Sequence, residues 1–413
     1  MSEPIFYDDK VVFGIIMGVL GVIFYTSSSK NKYLRKFYRV VPALLMCYLI
    51  PSILNSLGVI SKDHSNLYTI SKNYFLPAAL FLMTLSIDIK SLIKLGFKPI
   101  IMFLTGTLGI LIGGPLSILI ISFFSPETVG GVGHDAVWRG MSTIAGSWIG
   151  GGANQASMLE IFKYNPDKYG VMVLVDIVIS GIWMALLLVG IGKREKIDRW
   201  LKADVSSIED LKERTESYTK SIEKIPNLGD YIKILGLAFF VISFSHYMSK
   251  SITDWILESF SGMKNNTLAS EFFWLVLIST SIGLLLSFTR AKKMQGYGAS
   301  KIGNVFIYIL VAVIGMKMDI TEMFSQPGLL LVGMVWISIH ASLLILMARL
   351  LKAPYFYLAV GSQANIGGAG SAPILAAAFH PSLAPVGVLL AVLGYFIGTY
   401  AAVICAYLME LAS

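Results

Sequence analysis

Apolar residues run through this chain in long blocks, and polar residues collect in the gaps between them. The blocks lie near residues 11–27, 38–60, 74–89, 97–124, 140–162, 169–192, 230–247, 271–289, 303–318, 328–351, 354–378 and 383–409. Most are close to the ~20 residues that carry an α-helix across a ~30 Å hydrocarbon core. The pattern predicts an all-α polytopic membrane protein. Two blocks break the pattern from within. "GSWIGGGANQAS" (residues 146–157) and "GSQANIGGAGSAP" (residues 361–373) place glycine clusters, amides and hydroxyls inside apolar sequence.

Charge decides how the blocks are threaded. Basic residues concentrate on the cytoplasmic side of a membrane protein. Lys30, Lys32, Arg35, Lys36 and Arg39 follow the first block, and Lys90, Lys94 and Lys98 follow the third. If all twelve blocks crossed, "KREKIDRWLK" after Gly192 would lie outside, although it is the most basic stretch. The conflict disappears if 140–162 and 354–378 enter and leave on one side as re-entrant hairpins. Each limb then has about 12 residues and reaches about 18 Å, roughly half the membrane. Twenty-three of the 33 Lys and Arg residues then fall on the cytoplasmic side. The prediction is ten spans and two hairpins, with both termini outside.

The halves echo each other. "SIDIKSLIKLG" (86–96) matches "KMDITEMFSQPG" (317–328), which pairs Asp88 with Asp319. "IGGGANQAS" (149–157) matches "IGGAGSAP" (366–373), and "VMVLVDIVISGIW" (171–183) matches "VGVLLAVLGYFIG" (386–398). Residues 1–192 read as a first repeat of five spans and one hairpin, and 230–413 as a second. An odd number of crossings turns the second repeat upside down. Residues 193–229, polar and rich in both charges, read as a cytoplasmic linker. Inverted repeats with broken membrane elements characterise secondary transporters, whose sites lie at the repeat interface near the midplane.

Composition agrees with this class. Hydrophobic residues make up 55% of the chain and charged residues 14%, with mean hydropathy +0.71; a soluble chain carries about 25% charge. The net charge of +8 is a topology effect and gives no reason to expect nucleic acid as a partner. Cys47 and Cys405 lie in apolar blocks and read as inert buried thiols. The acidic start "MSEPIFYDDK" is unlike a signal peptide, so the first helix is expected to remain.

Broken backbone at membrane depth is tolerated where protein or a water-filled cavity surrounds it. Glycines turn the chain there and expose its carbonyls and amides to a ligand. Small-residue helix packing uses the same residue types. Asp176 is the sharpest single candidate: a carboxylate deep in a span is costly and faces a cavity or an ion path. The candidate cation site is Asp176, Asn154, Gly151, Gly152 and Ser147, with Asp176 and Asn154 as Na⁺ ligands. The alternatives for Asp176 are a coupling proton or an interior hydrogen bond. The candidate substrate site is Gln155, Ser157, Gln363, Asn365, Gly367, Gly368, Ser371 and His340. Asp88 and Asp319 read as helix caps.

At these glycine motifs the chain resembles the YjcL-like membrane proteins (domain of unknown function 819) over nearly its whole length. The two-hairpin layout is distantly similar to the 2-hydroxycarboxylate, glutamate and bile acid sodium symporters. That resemblance implies a dimeric, sodium-coupled elevator in a bacterial cytoplasmic membrane. The expected function is secondary transport of a small hydrophilic solute such as an amino acid, a carboxylate or a short peptide, with Na⁺ or H⁺ as coupling ion. No enzymatic activity and no organic cofactor are expected. Rival readings are a channel, a receptor, or an intramembrane hydrolase pairing Ser147 or Ser371 with His340 or His380. No Gly-x-Ser-x-Gly elbow surrounds those serines, and no Walker lysine points to ATP-driven transport.

Overall fold

The computed structural model describes residues 4–61, 65–88, 92–93, 95–205, 208, 225–260, 267–318, 325–380 and 383–413. Among them the regular elements are helical, apart from one bridge between Phe6 and Ile60. In chain order they are α1 (Asp9–Ser27), α2 (Lys32–Val40), α3 (Ala43–Ser56), α4 (Leu67–Ile70) and α5 (Leu76–Leu85). Next come α6 (Phe97–Phe124), α7 (Val137–Ile161), α8 (Tyr169–Ile191) and α9 (Arg194–Leu201). The second half holds α10 (Leu228–Ser259), α11 (Glu271–Ser287), α12 (Ala299–Lys317) and α13 (Gly328–Leu350). It ends with α14 (Tyr355–Ile366), α15 (Gly368–Phe379) and α16 (Ala384–Ala412).

Among the described residues, seven helices are long and apolar enough to cross a membrane: α1, α6, α8, α10, α12, α13 and α16. The number rises to nine if two bent helix pairs, α2 with α3 and α11 with the 3-10 turn after it, each count as one span. The ten expected blocks are all present, but three give shorter helices. The block at 38–60 yields α3 because Pro42 sits at its N-cap, where proline cannot extend a hydrogen-bonded helix backward. The block at 74–89 begins earlier, at Leu67, and passes through a π turn at Ser71–Phe75 before α5. α11 stops after 17 residues and the chain bends by 98°. In the 193–229 linker α9 is helical, and 206–207 and 209–224 lie outside the described residues. Of the two expected caps, Asp88 meets Lys292 at 3.5 Å, and Asp319 lies outside the described residues.

The helices pack as two bundles. One comprises α1, α3, α5, α10, α11 and α12; the other comprises α6, α7, α8, α13, α14, α15 and α16. Each sequence half gives three longer helices to the first bundle and then a helix, a broken element and a helix to the second. The bundles meet mainly where α16 and α7 lie against α5 and α11. Polar pairs cross that seam: Tyr48 with Tyr169 (3.5 Å), Ser281 with Tyr400, and Lys72 with Glu160.

Both broken elements are helical hairpins. In α7 the backbone leaves helical geometry at Gly151 (φ +73°), a conformation that side chains with a Cβ rarely adopt. Beyond it the chain folds back, so that Gly146 lies against Asn154 and Met158. The base is closed where Arg139 donates to the Phe162 carbonyl (2.5 Å) and Trp138 meets Phe162 edge to face. The second hairpin turns at Gly367–Gly368, where Gly368 has φ +53°. Its base is closed by Tyr355 and Phe356 packing on Phe379. Both hairpins lie against α16 and touch each other.

Close helix contact in the first bundle depends on Gly315 of α12, where a Cβ would strike the Tyr48 backbone of α3. Gly315→Val should therefore destabilise the protein by about 1–3 kcal/mol, the usual cost of overpacking. Gly236→Ala, with nothing within 4 Å of its added Cβ, should not. Thermal unfolding of the two purified variants checks this.

Candidate functional site

The two limbs of the first hairpin converge on one carboxylate. Ser147 and Trp148 lie about one turn before the break at Gly151, and Gln155 about one turn after it. Asp176 projects from the middle of α8. Ser147 Oγ donates to Asp176 Oδ2 (2.7 Å), Gln155 Nε2 donates to the same oxygen (3.2 Å), and Trp148 Nε1 donates to Oδ1 (2.8 Å). All four residues are buried. A buried charge is tolerated only when paired or hydrogen-bonded, and here Ser147, Trp148 and Gln155 all donate to the carboxylate. A carboxylate accepts about four hydrogen bonds, so acceptor capacity remains on Oδ1. Trp148 is a donor only and cannot ligate a cation, so an ion would have to reach Asp176 at that free capacity.

Of the nominated cation site, Ser147 and Asp176 come together, with Gln155 from the nominated substrate set. Asn154 faces the other way. Its Nδ2 donates to the carbonyls of Gly150 and Tyr395 (3.0 Å each), and its Oδ1 accepts from Thr399 Oγ1 (2.6 Å). Asn365 repeats this arrangement in the second hairpin. Its Nδ2 donates to Gly361 and Phe103, and its Oδ1 accepts from Thr107. Each asparagine thus bonds the carbonyl four residues before it (across the break at Gly151 for Asn154, within α14 for Asn365), a carbonyl of a crossing helix, and the threonine four residues further along that helix. Both amide hydrogens are used. These two residues pin the hairpins to α16 and α6. Ser157 bonds the Ala153 carbonyl of its own limb.

His340 is also tied. Its Nδ1 lies 2.9 Å from the Gly106 carbonyl and its Nε2 lies 2.8 Å from Ser362 Oγ, which also accepts from Trp183 Nε1. A carbonyl only accepts, so Nδ1 carries a proton; the Ser362 hydroxyl can then donate to Nε2, which leaves a neutral ring fully paired. His340 therefore links α6, α13, α14 and α8. The histidine meets Ser362, not Ser147 or Ser371.

At the second tip, Gln363 Nε2 donates to Ser371 Oγ (2.7 Å). Gly367 lies between these side chains, and a Cβ there would collide with both. Gly151 and Gly152 are partly exposed at the first tip, beside Tyr395 and Ile307. The structure thus gathers the nominated residues into a buried carboxylate cluster and a polar hairpin tip, with the asparagine pins and His340 as the frame around them. Sequence reasoning missed Trp148, Thr107, Thr399, Ser362 and Trp183. Trp148 carried a signal, because a buried indole N–H needs an acceptor and Asp176 is a carboxylate deep in the next apolar block. The threonines carried none, being 245 and 258 residues from their asparagines.

The pinning hydrogen bonds can be tested singly. Thr399→Val and Thr107→Val each keep the side-chain shape and leave an asparagine oxygen without its donor. Each should cost about 1–3 kcal/mol, the penalty for a stranded buried acceptor. Thermal unfolding of the purified variants reads the loss. A Tm like that of the parent protein in both would contradict the pinning role.

Comparison with known proteins agrees with the membrane architecture. The model of the family described as "Protein of unknown function (DUF819)" matches residues 14–411. The chain is similar to the "Uncharacterized membrane protein YjcL" of Bacillus subtilis (strain 168), with 26% identity over 365 residues covering 84% of this chain and 85% of that protein. With nearly every helix of both bundles inside the matched region, the chain belongs to the DUF819 family of membrane proteins.

Proposed function

We propose that the protein is a secondary active transporter for a small hydrophilic organic solute, coupled to Na⁺ and working by an elevator mechanism. In this reading the hairpin bundle carries the solute, and the bundle of α1, α3, α5, α10, α11 and α12 supports it. The observation that carries the reading is the order of elements. Three helices to one bundle, then helix–hairpin–helix to the other, occurs once in each half. Two inverted repeats, 1–192 and 230–413, joined by the 193–229 linker, would generate that order. The full arrangement would be ten spans and two re-entrant hairpins, acting as a homodimer in a bacterial cytoplasmic membrane.

Contacts between loops support the threading. Ile5 meets Gly58, Asn73 meets His246, His134 meets Lys163, and Lys72 meets Glu160. These residues all fall on the side that the charge pattern assigns to the exterior. Asp88 meets Lys292, Lys98 meets Asp204, Asp204 meets Lys352, and Asp198 meets Tyr355. All of these fall on the cytoplasmic side. The last three contacts dock the start of the linker on the hairpin bundle, so the linker would travel with it.

Asp176 is the coupling residue in this reading. It joins both limbs of the first hairpin, so a bound ion would change how those limbs are held. A proton is the second reading, favoured by one observation: Trp148, which holds Oδ1, cannot coordinate a metal ion.

Uptake into proteoliposomes of a labelled panel of amino acids and carboxylates tests the function. Accumulation should require an imposed gradient and collapse when choline replaces Na⁺ at constant pH. Asp176→Asn should remain folded and lose accumulation. Removing one partner of a buried ion pair costs about 3–5 kcal/mol, more than about 100-fold in ion affinity. Undiminished Na⁺-driven uptake in this variant would remove Asp176 from the mechanism. Accumulation that follows a pH gradient in Na⁺-free buffer would select the proton.

A further inference from the structure

The short helix α2, between the first two long helices, has two unlike faces. Lys32, Arg35 and Lys36 are spaced i, i+3 and i+4 along it, which puts them on one side. Tyr33, Leu34, Phe37 and Tyr38 fall on the other. The start of the helix is fixed by Asn31, whose side chain accepts from the Tyr33 amide (2.8 Å). Its far end is held on α1. Thr26 Oγ1 donates to the Val22 carbonyl (2.7 Å), so the Tyr38 hydroxyl donates to Thr26 Oγ1 (2.7 Å). Thr26 lies in the last turn of α1, a helix apolar enough to cross the membrane. α2 is therefore pinned where a span leaves the hydrocarbon. Only part of its apolar face is covered: Leu34 and Tyr38 are half-buried, while Tyr33 is 72% and Phe37 43% exposed. The charges are uncompensated as well. Lys30, Lys32, Arg35 and Lys36 are all exposed, and none forms an ion pair among the described residues. Lys32 Nζ lies 5.1 Å from the Tyr33 ring centroid, a contact that leaves its charge in place. No Asp or Glu occurs between Asp9 and Asp63. Elsewhere on this side acidic residues offset the basic ones: Glu195 and Asp198 lie within α9, and Lys292 meets Asp88.

The two faces together select the partner. Aromatic rings at a membrane boundary sit among the headgroups. A helix with such rings on one face and Lys or Arg on the other lies in the plane of the interface. Four or more basic residues directly beside a span attract anionic headgroups. An acidic soluble protein would pair the charges and leave the rings in water. A zwitterionic lipid would cover the rings and leave the charges unpaired. We propose that α2 is an interfacial docking surface for anionic phospholipid. Tyr33 and Phe37 rest at headgroup level, and Lys30, Lys32, Arg35 and Lys36 hold the lipid phosphates. Arg35 can engage a phosphate through two N–H groups at once, while the lysines act as point charges. Because α2 joins α1 to α3, the bound lipid ties that end of the first bundle to the membrane surface. The proposal requires that α1 spans the membrane and is independent of what, if anything, the protein transports.

A fluorescent reporter on α2 tests this. Tyr33→Cys, in full-length protein lacking Cys47 and Cys405, is labelled with bimane and reconstituted into vesicles of phosphatidylcholine and phosphatidylglycerol. Bromine on the acyl chains of one lipid or the other then quenches the dye in proportion to that lipid's local share. At equal mole fractions phosphatidylglycerol should be preferred about fivefold or more, the factor that one basic residue near an anionic surface supplies. The preference should shrink at high salt, because the charges are exposed. Arg35→Gln with Lys36→Gln should bring it below about twofold. Lys193→Gln with Lys196→Gln, which removes the same charge from α9 and its N-cap, should leave it intact. Equal quenching by the two lipids, or a preference that survives the Arg35 and Lys36 exchange, would overturn the proposal. So would no quenching by either lipid, the result expected if the face serves an acidic soluble partner. Thermal unfolding shows whether each variant folds. If the Arg35 and Lys36 variant does not, the same dye at Tyr247→Cys decides. Tyr247 is exposed on α10, where Lys250 is paired with Asp254. A preference at Tyr33 without one at Tyr247 supports the proposal, and equal preference at both overturns it.

Discussion

A helix that stops inside an apolar interior leaves polar groups that only the protein can satisfy, and two elements of this chain stop there. The structure answers this constraint at Gly151 and at Gly367–Gly368. Around the first break, both limbs donate to the Asp176 carboxylate, so a costly buried charge becomes the tie that holds the hairpin near its turn. Around both breaks an asparagine bonds its own hairpin and a crossing helix, with a threonine completing the set. α16 and α6 are where they are because those pins hold them against the hairpins. At Gln363, beside the second break, the pairing stays incomplete among the described residues.

Much of this was legible in the sequence. The hairpins expected at 140–162 and 354–378 appear as Val137–Ile161 and as Tyr355–Ile366 with Gly368–Phe379. Glycine pairs and amides within apolar runs are a local signal, because breaking a helix requires particular residues at the break. Asp176 was legible because an isolated carboxylate in "VMVLVDIVISGIW" has few physical reasons to be there. Span count was less legible. Hydropathy reports where apolar residues lie, while Pro42, the π turn at Ser71–Phe75 and the bend after α11 decide where helices begin and end. The roles of Asn154, Asn365 and His340 were hidden. Their side chains suit ligand binding as well as helix pinning, and the choice is made by Thr399, Thr107 and Ser362, whose proximity only the fold creates.

The division into two bundles gives the reading its mechanical sense. Within the hairpin bundle the helices are tied by buried hydrogen bonds with strict geometry. Across the seam the polar ties among the described residues are few: Tyr48 with Tyr169, Ser281 with Tyr400, and Lys72 with Glu160. Relative motion would therefore occur along the seam more readily than within the hairpin bundle. The α9 helix, capping α14 through Asp198 and Tyr355, would move with the hairpins.

All of this depends on each hairpin entering and leaving the membrane on one face. Single cysteines at Val132, Lys163, Lys202, Lys352 and His380, in a background lacking Cys47 and Cys405, can be labelled in intact cells with an impermeant maleimide. Val132 and Lys163 should label from one side, and Lys202, Lys352 and His380 from the opposite side. Labelling of Val132 and Lys163 from opposite faces, or of Lys352 and His380 from opposite faces, would make that hairpin an ordinary crossing and contradict the account.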